Sequence, residues 1–144
     1  MKKNTKEDII QRFEASCDIQ YRCSENGDYK TGNKEQTKLL RIFKFFEENR
    51  ELAMECLKEL LKKESVVVTT KAAAWCIALN ENIDESVRIL YENSQKQGIG
   101  IYRLNAEMTL NVFKARGYLL VYEDQEIRRT DPEKIVEIFK NISI

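Results

Sequence analysis

An all-α fold of about seven helices, with at most a small β-hairpin before the last, is what this sequence predicts. Three observations carry that prediction. The most apolar stretch, Val66 to Leu79 (VVVTTKAAAWCIAL), has polar side chains only at Thr69, Thr70 and Lys71. As a helix it would have no broad solvated face and must be buried on several sides. The segments around it carry apolar residues at helical spacing, separated by capping and stop signals. Finally, two helix pairs recur with the same layout.

The central stretch has a competing reading as a strand, because Val66, Val67 and Val68 favour extended structure. The AAAW run that follows favours a helix, and Ser65 is placed to cap it. Small side chains at Ala72, Ala73, Ala74 and Ala78 would let neighbours approach closely around one large wedge, Trp75.

From the N-terminus, Thr5 and Asp8 resemble a helix start, and Ile9, Ile10, Phe13 and Cys17 share one side of a helix to about Tyr21. Ser24 to Asn33 (SENGDYKTGN) reads as a loop. Asn33 with Gln36 would cap a second helix burying Leu39, Leu40, Ile42, Phe43 and Phe46, with Phe45 left outside. A break near Asn49 precedes a third helix that buries Leu52, Ala53, Cys56, Leu57, Leu60 and Leu61. It presents Glu51, Glu55, Lys58, Glu59 and Lys62 to water.

Beyond the central stretch, Asn82 with Glu85 forms a capping pair for a helix that turns Val87, Leu90 and Tyr91 inward, and Gly98 and Gly100 end it. Ile101 to Arg116 has Ile101, Leu104, Met108 and Val112 on one stripe and Ala106, Leu110 and Phe113 on the next. That reads as a second wide-faced inner helix stopped by Gly117. Tyr118 to Tyr122 is a strand candidate with Glu126 to Arg129 as its partner. Asp131 and Pro132 then open a closing helix that buries Ile135, Ile138, Phe139 and Ile142.

A shift of 33 residues lays Asn49 on Asn82, Leu57 on Leu90, Ala73 on Ala106 and Ile77 on Leu110. Each copy is a charged outer helix followed by a more apolar inner one, the layout of HEAT-like and armadillo-like stacks. The expected organisation is one domain over 1–144, with repeat units at about 49–80 and 82–117 and an appendage at 118–144.

The run from about Leu52 to Gly117, with KAAAWCIAL and NAEMTLNVFKARG, resembles an uncharacterised bacterial domain family of small helical proteins. Its signature is an alanine-rich inner helix and an Ala-Glu-x-x-Leu sequence, here Ala106, Glu107 and Leu110. The chain departs from the family pattern at Ile83, where proline is frequent, and at Phe113, where tryptophan is. The resemblance implies an alpha-alpha superhelix related to HEAT repeats and no particular activity, and the first fifty or so residues lie outside it.

Lysine plus arginine equals aspartate plus glutamate at 24 each, which argues against a strongly electrostatic nucleic-acid or membrane surface. There is no histidine, and Cys17, Cys23, Cys56 and Cys76 lack metal-ligand spacing, so no metal or cofactor is expected. Scattered cysteines and an N-terminus without an apolar core point to the cytoplasm.

No set of residues commits the chain to a chemistry. Glu47, Glu48, Glu51 and Glu55 read as a solvated helix end. Cys76 beside Trp75 reads as packing, and GIGI lacks the lysine and spacing of a phosphate loop. Arg103 and Glu107, one turn apart, would form either a structural ion pair or part of a groove that receives a partner. Tyr102, Arg103 and Glu107 are therefore the candidate partner-binding residues, with tyrosine and arginine as potential anchors. The function expected is a non-catalytic protein-interaction module. Alternatives are an immunity protein neutralising a bacterial toxin and a weak nucleic-acid binder using Lys71, Arg103, Lys114 and Arg116. An enzyme, marked by a deep pocket joining Glu107 to Cys76, is the least favoured.

Overall fold

The structure, a computed structural model, describes residues 5–142. Among them are seven α-helices and no strand. The helices are α1 (Lys6–Asn26), α2 (Tyr29–Glu48), α3 (Arg50–Leu60), α4 (Val66–Ala78), α5 (Ile83–Gln95), α6 (Ile101–Arg116) and α7 (Pro132–Ile142). One buried cluster draws on all seven.

The central stretch is helical. Ser65 Oγ accepts from the Val68 amide at 3.3 Å, and Ala72, Ala73, Cys76 and Ile77 are fully buried. Trp75 is 3% exposed and meets Phe13, Phe43 and Phe46 edge-on at 4.8, 5.2 and 5.9 Å. These contacts bring positive ring edges against negative ring faces, which adds specificity to burial. Asn93 of α5 donates to Thr69 and Thr70 at 3.0 and 2.9 Å, closing a polar link between α4 and α5.

The expected loop at 24–33 is mostly helix. α1 continues to Asn26, Gly27 turns the chain at φ +77°, and Asp28 caps α2 by accepting from the Thr31 amide. Asp28 thus caps α2, and Asn33 lies inside it. The two helices lie close together. A Cβ placed on Gly32 would stand 3.5 Å from that of Cys23, and the Ser16 hydroxyl donates to the buried Glu35 carboxylate at 2.8 Å. Burial alone would raise the Glu35 pKa, but the bonds from Lys38 and Ser16 outweigh it and hold the carboxyl low. Phe45 is partly buried against the core.

Between the pairs α3/α4 and α5/α6, the 33-residue shift matches burial on one side only. Val68, Trp75 and Leu79 are buried, whereas their counterparts Ile101, Met108 and Val112 are exposed. Agreement is confined to positions such as Leu57 and Leu90, which are both fully buried, as are Ala73 and Ala106. The turn between the pairs places Asn80 and Asn82 in the left-handed region, at φ 58° and 51°. Asn82 is the residue before α5, but its side chain caps no amide. Instead its Nδ2 donates to Glu85 Oε1 at 3.3 Å.

Residues 118–131 form no hairpin. Their polar groups are tied down by side chains: Gln125 Oε1 accepts from the Val121 amide, and its Nε2 donates to the carbonyls of Ala78 and Leu119. Tyr122 donates to Glu47 at 2.6 Å and Arg128 pairs with the same carboxylate at 2.8 Å. Glu47 therefore leaves the exposed acidic group, while Glu48, Glu51 and Glu55 face water as expected. Asp131 Oδ1 accepts from the Glu133 amide to open α7, which buries Ile135 and Ile138.

Candidate functional site

α6 carries the three candidate residues, and it is not the wide inner helix its sequence suggests. Only Ala106, Leu110 and Phe113 are buried. The other apolar stripe points to solvent: Ile101 is 61% exposed, Leu104 50%, Met108 55% and Val112 38%. At 100° per residue this stripe lies almost opposite the buried one, so α6 is apolar on two sides.

Tyr102, Arg103 and Glu107 do not act together. Tyr102 is partly buried, its ring centroid 5.1 Å from that of Tyr21, and burial followed by the Tyr21 phenol raises its pKa. Arg103 and Glu107 are exposed on the other flank, and no ion pair joins them among the described residues. Lys114 follows Glu107 by seven residues on that flank, with its ammonium 5.4 Å from the Phe139 ring.

On the Tyr102 side, α6 walls an open cavity of about 630 Å³ whose other sides come from α1, α2, α4 and Leu120 with Val121. Its lining contains one basic residue, Lys71, and one acidic residue, Asp28. Lys71 is only partly exposed, and burial lowers its pKa against a weaker opposing effect of Cys17. Sequence reasoning treats Lys71 as a polar interruption of the central helix, and only the packing of α1 and α6 around it reveals its enclosure.

A second open cavity of about 650 Å³ lies between the end of α6, residues 129–131 and the start of α7. Neither cavity is lined by Glu107 or Cys76. Cys76 is fully buried, and burial pushes its thiol up to about 12. Among the described residues no group of three or more Cys, Asp or Glu side chains is arranged to hold a metal ion, and no helix is long and apolar enough to cross a membrane. The four cations of the nucleic-acid reading do not share a face, since Lys71 lines the cavity while Arg103 and Lys114 sit on the far flank of α6. Comparison with protein-family models, curated proteins and solved structures finds no match to this chain.

Proposed function

We propose that the chain is a non-catalytic protein-interaction module, built as a HEAT-like stack of helix pairs, whose docking face is the exposed stripe of α6. The single observation that carries this reading is the exposure of Ile101, Leu104, Met108 and Val112 in one line, directly opposite the face that packs on the core. Stacks of helix pairs need a polar outer face on their last layer, and this layer is apolar. A further helix laid along it would complete the stack.

The occupant argued for is α6 of a second copy, running antiparallel about a two-fold axis. Glu107 and Lys114 stand one heptad apart on the same flank of the stripe. An antiparallel pairing centred between Glu107 and Lys114 sets each Glu107 across from Lys114 of the second copy, twice per dimer, with Met108 and Val112 meeting between them and Ile101 and Leu104 at the ends of the contact.

Sedimentation equilibrium up to about 100 μM tests this, a range that captures even a weak dimer. The wild type should dimerise and Met108→Glu, at an exposed position, should remain a folded monomer. Glu107→Lys should weaken the dimer by facing like charges, and adding Lys114→Glu in the same chain should restore it. A wild type that stays monomeric, or a Met108→Glu variant that dimerises equally well, overturns the reading. A Glu107→Lys effect that Lys114→Glu does not reverse overturns the antiparallel arrangement.

A further inference from the structure

Among the described residues Lys71 is a cation without a counter-charge. It lines the cavity between the α1/α2 hairpin and α6, and no described residue gives its ammonium a hydrogen bond or an ion pair. The described group whose charge acts on it is the Cys17 thiol, which burial keeps neutral. Asp28, the acidic residue of the lining, already accepts from the Thr31 amide as the cap of α2. A partly desolvated ammonium left unpaired works against folding, which is the mark of a group whose partner comes from outside the chain.

Other polar groups of the same lining have donors to spare. Gln36 has its side-chain carbonyl occupied by Gln20 at 3.1 Å, which leaves its amide hydrogens unused. The Thr70 oxygen accepts from Asn93, so its own hydroxyl proton is free to donate. Asn105 brings a side-chain amide with no partner among the described residues. The rings of Tyr21 and Tyr102, tilted by 51° to each other, line the same cavity. Unused donors and a cation in one lining with aromatic carbon suit a ligand with an oxyanion head and a flat apolar body.

We propose that this cavity is a binding site for a small aromatic oxyanion, a carboxylate or phosphate ester, whose head is received by Lys71, Thr70, Gln36 and Asn105 and whose ring lies against Tyr21 and Tyr102. The site does not use Glu107 or Lys114, which lie on the other flank of α6, but Asn105 borders the docking stripe beside Ile101 and Val112.

The test is a titration of the whole isotope-labelled chain, followed by amide NMR shifts and by the fluorescence of Trp75, the single tryptophan, which borders the cavity. The probes are benzoate and phenyl phosphate, with inorganic phosphate and benzyl alcohol as controls for the head and the ring alone. At least one aromatic anion should saturate below about 10 mM, with shifts centred on Thr70, Lys71 and Asn105, and each control should bind at least about tenfold more weakly. Which of the two anions binds tighter identifies the head group. Lys71→Met should reduce binding at least about tenfold, and Asn105→Ala, at an exposed position, should weaken it several-fold with the melting temperature unchanged. Should Lys71→Met fail to fold, Asn105→Ala and the comparison of benzoate with benzyl alcohol decide the matter. The proposal is overturned if neither anion saturates, if benzyl alcohol binds as tightly as benzoate, or if folded Lys71→Met or Asn105→Ala keeps full affinity. Equal binding of inorganic phosphate overturns the aromatic part.

Discussion

The Arg128 guanidinium lies 2.8 Å from the Glu47 carboxylate, a contact between residues 81 positions apart that ties the segment before α7 to the end of α2. Both side chains are largely withdrawn from water, at 14% and 13% exposure, and the same carboxylate accepts from the Tyr122 hydroxyl. The bond to Glu47 first, and burial second, raise the Tyr122 pKa.

Removing one partner strands the other charge, so Arg128→Met should destabilise the protein by about 2 to 3 kcal/mol and Glu47→Gln by a similar amount. Tyr122→Phe, which removes one hydrogen bond to a charged acceptor, should cost about 1 to 2 kcal/mol. Urea unfolding measures all three, and the Arg128→Met and Tyr122→Phe losses should fail to add because they share a carboxylate. An Arg128→Met variant as stable as the wild type would show that the segment is held by other contacts.

Two helix-ending glycines should differ in their tolerance of alanine. Gly27 and Gly117 both adopt a left-handed backbone, φ 77° and 82°, and each donates its amide to the helix it ends. A Cβ at Gly27 meets open space, whereas at Gly117 it stands 3.3 Å from Ile135 Cδ1 and 3.5 Å from the Thr130 carbonyl. Gly27→Ala should therefore cost about 1 kcal/mol from backbone strain alone, and Gly117→Ala about 2 kcal/mol or more. Equal melting temperatures for the two variants would mean that Ile135 moves aside freely.

What the sequence made legible was local. Ser65 before α4, Gly117 after α6, and Asp131 with Pro132 at α7 act within a turn of themselves, and each lies where the sequence places it. The misread segments depend on distant partners. The turn formers Thr31, Gly32 and Asn33 stay helical because α2 packs closely on α1, and Tyr118 to Tyr122 makes no ladder because Gln125, Arg128 and Glu47 bind the segment instead. On α6 two apolar stripes are present, and nothing in their spacing says that only Ala106, Leu110 and Phe113 meet the core. The candidate trio divides for the same reason, with Tyr102 drawn to Tyr21 across the cavity and Arg103 and Glu107 left in water.

The cysteines should be inert in the folded protein. Burial pushes Cys17 and Cys76 up to about 12 and Cys56 up to about 11, so no more than about one of these thiols in a thousand is ionised at pH 8. An aromatic disulfide reagent at pH 8 should react with these three only as fast as the chain unfolds, and with all four at once in urea. Cys23, which borders the open cavity, should react first. Prompt modification of Cys76 in the native state would contradict the packing of α4.

Lys71 makes a prediction about pH whose sign follows from its surroundings. Burial lowers its pKa from 10.5, with Cys17 opposing, so the native state gives up this proton at lower pH than the unfolded chain does. Below the native value both states hold the proton and the whole cost of enclosing the charge is present. Between the native value and 10.5 the unfolded chain binds more protons, and stability rises with pH as the cost is relieved. Methionine has a similar apolar stem and no charge, so Lys71→Met should be more stable than the wild type at pH 7, and its advantage should shrink as the pH approaches 10.5. The raised phenols of Tyr102 and Tyr122 titrate in both proteins and cancel in the difference. Urea midpoints at pH 7 and pH 10 provide the measurement. A Lys71→Met variant that is less stable at pH 7 would mean that the ammonium already has a favourable partner in the fold, and the cavity would then have no unmet charge to offer a ligand.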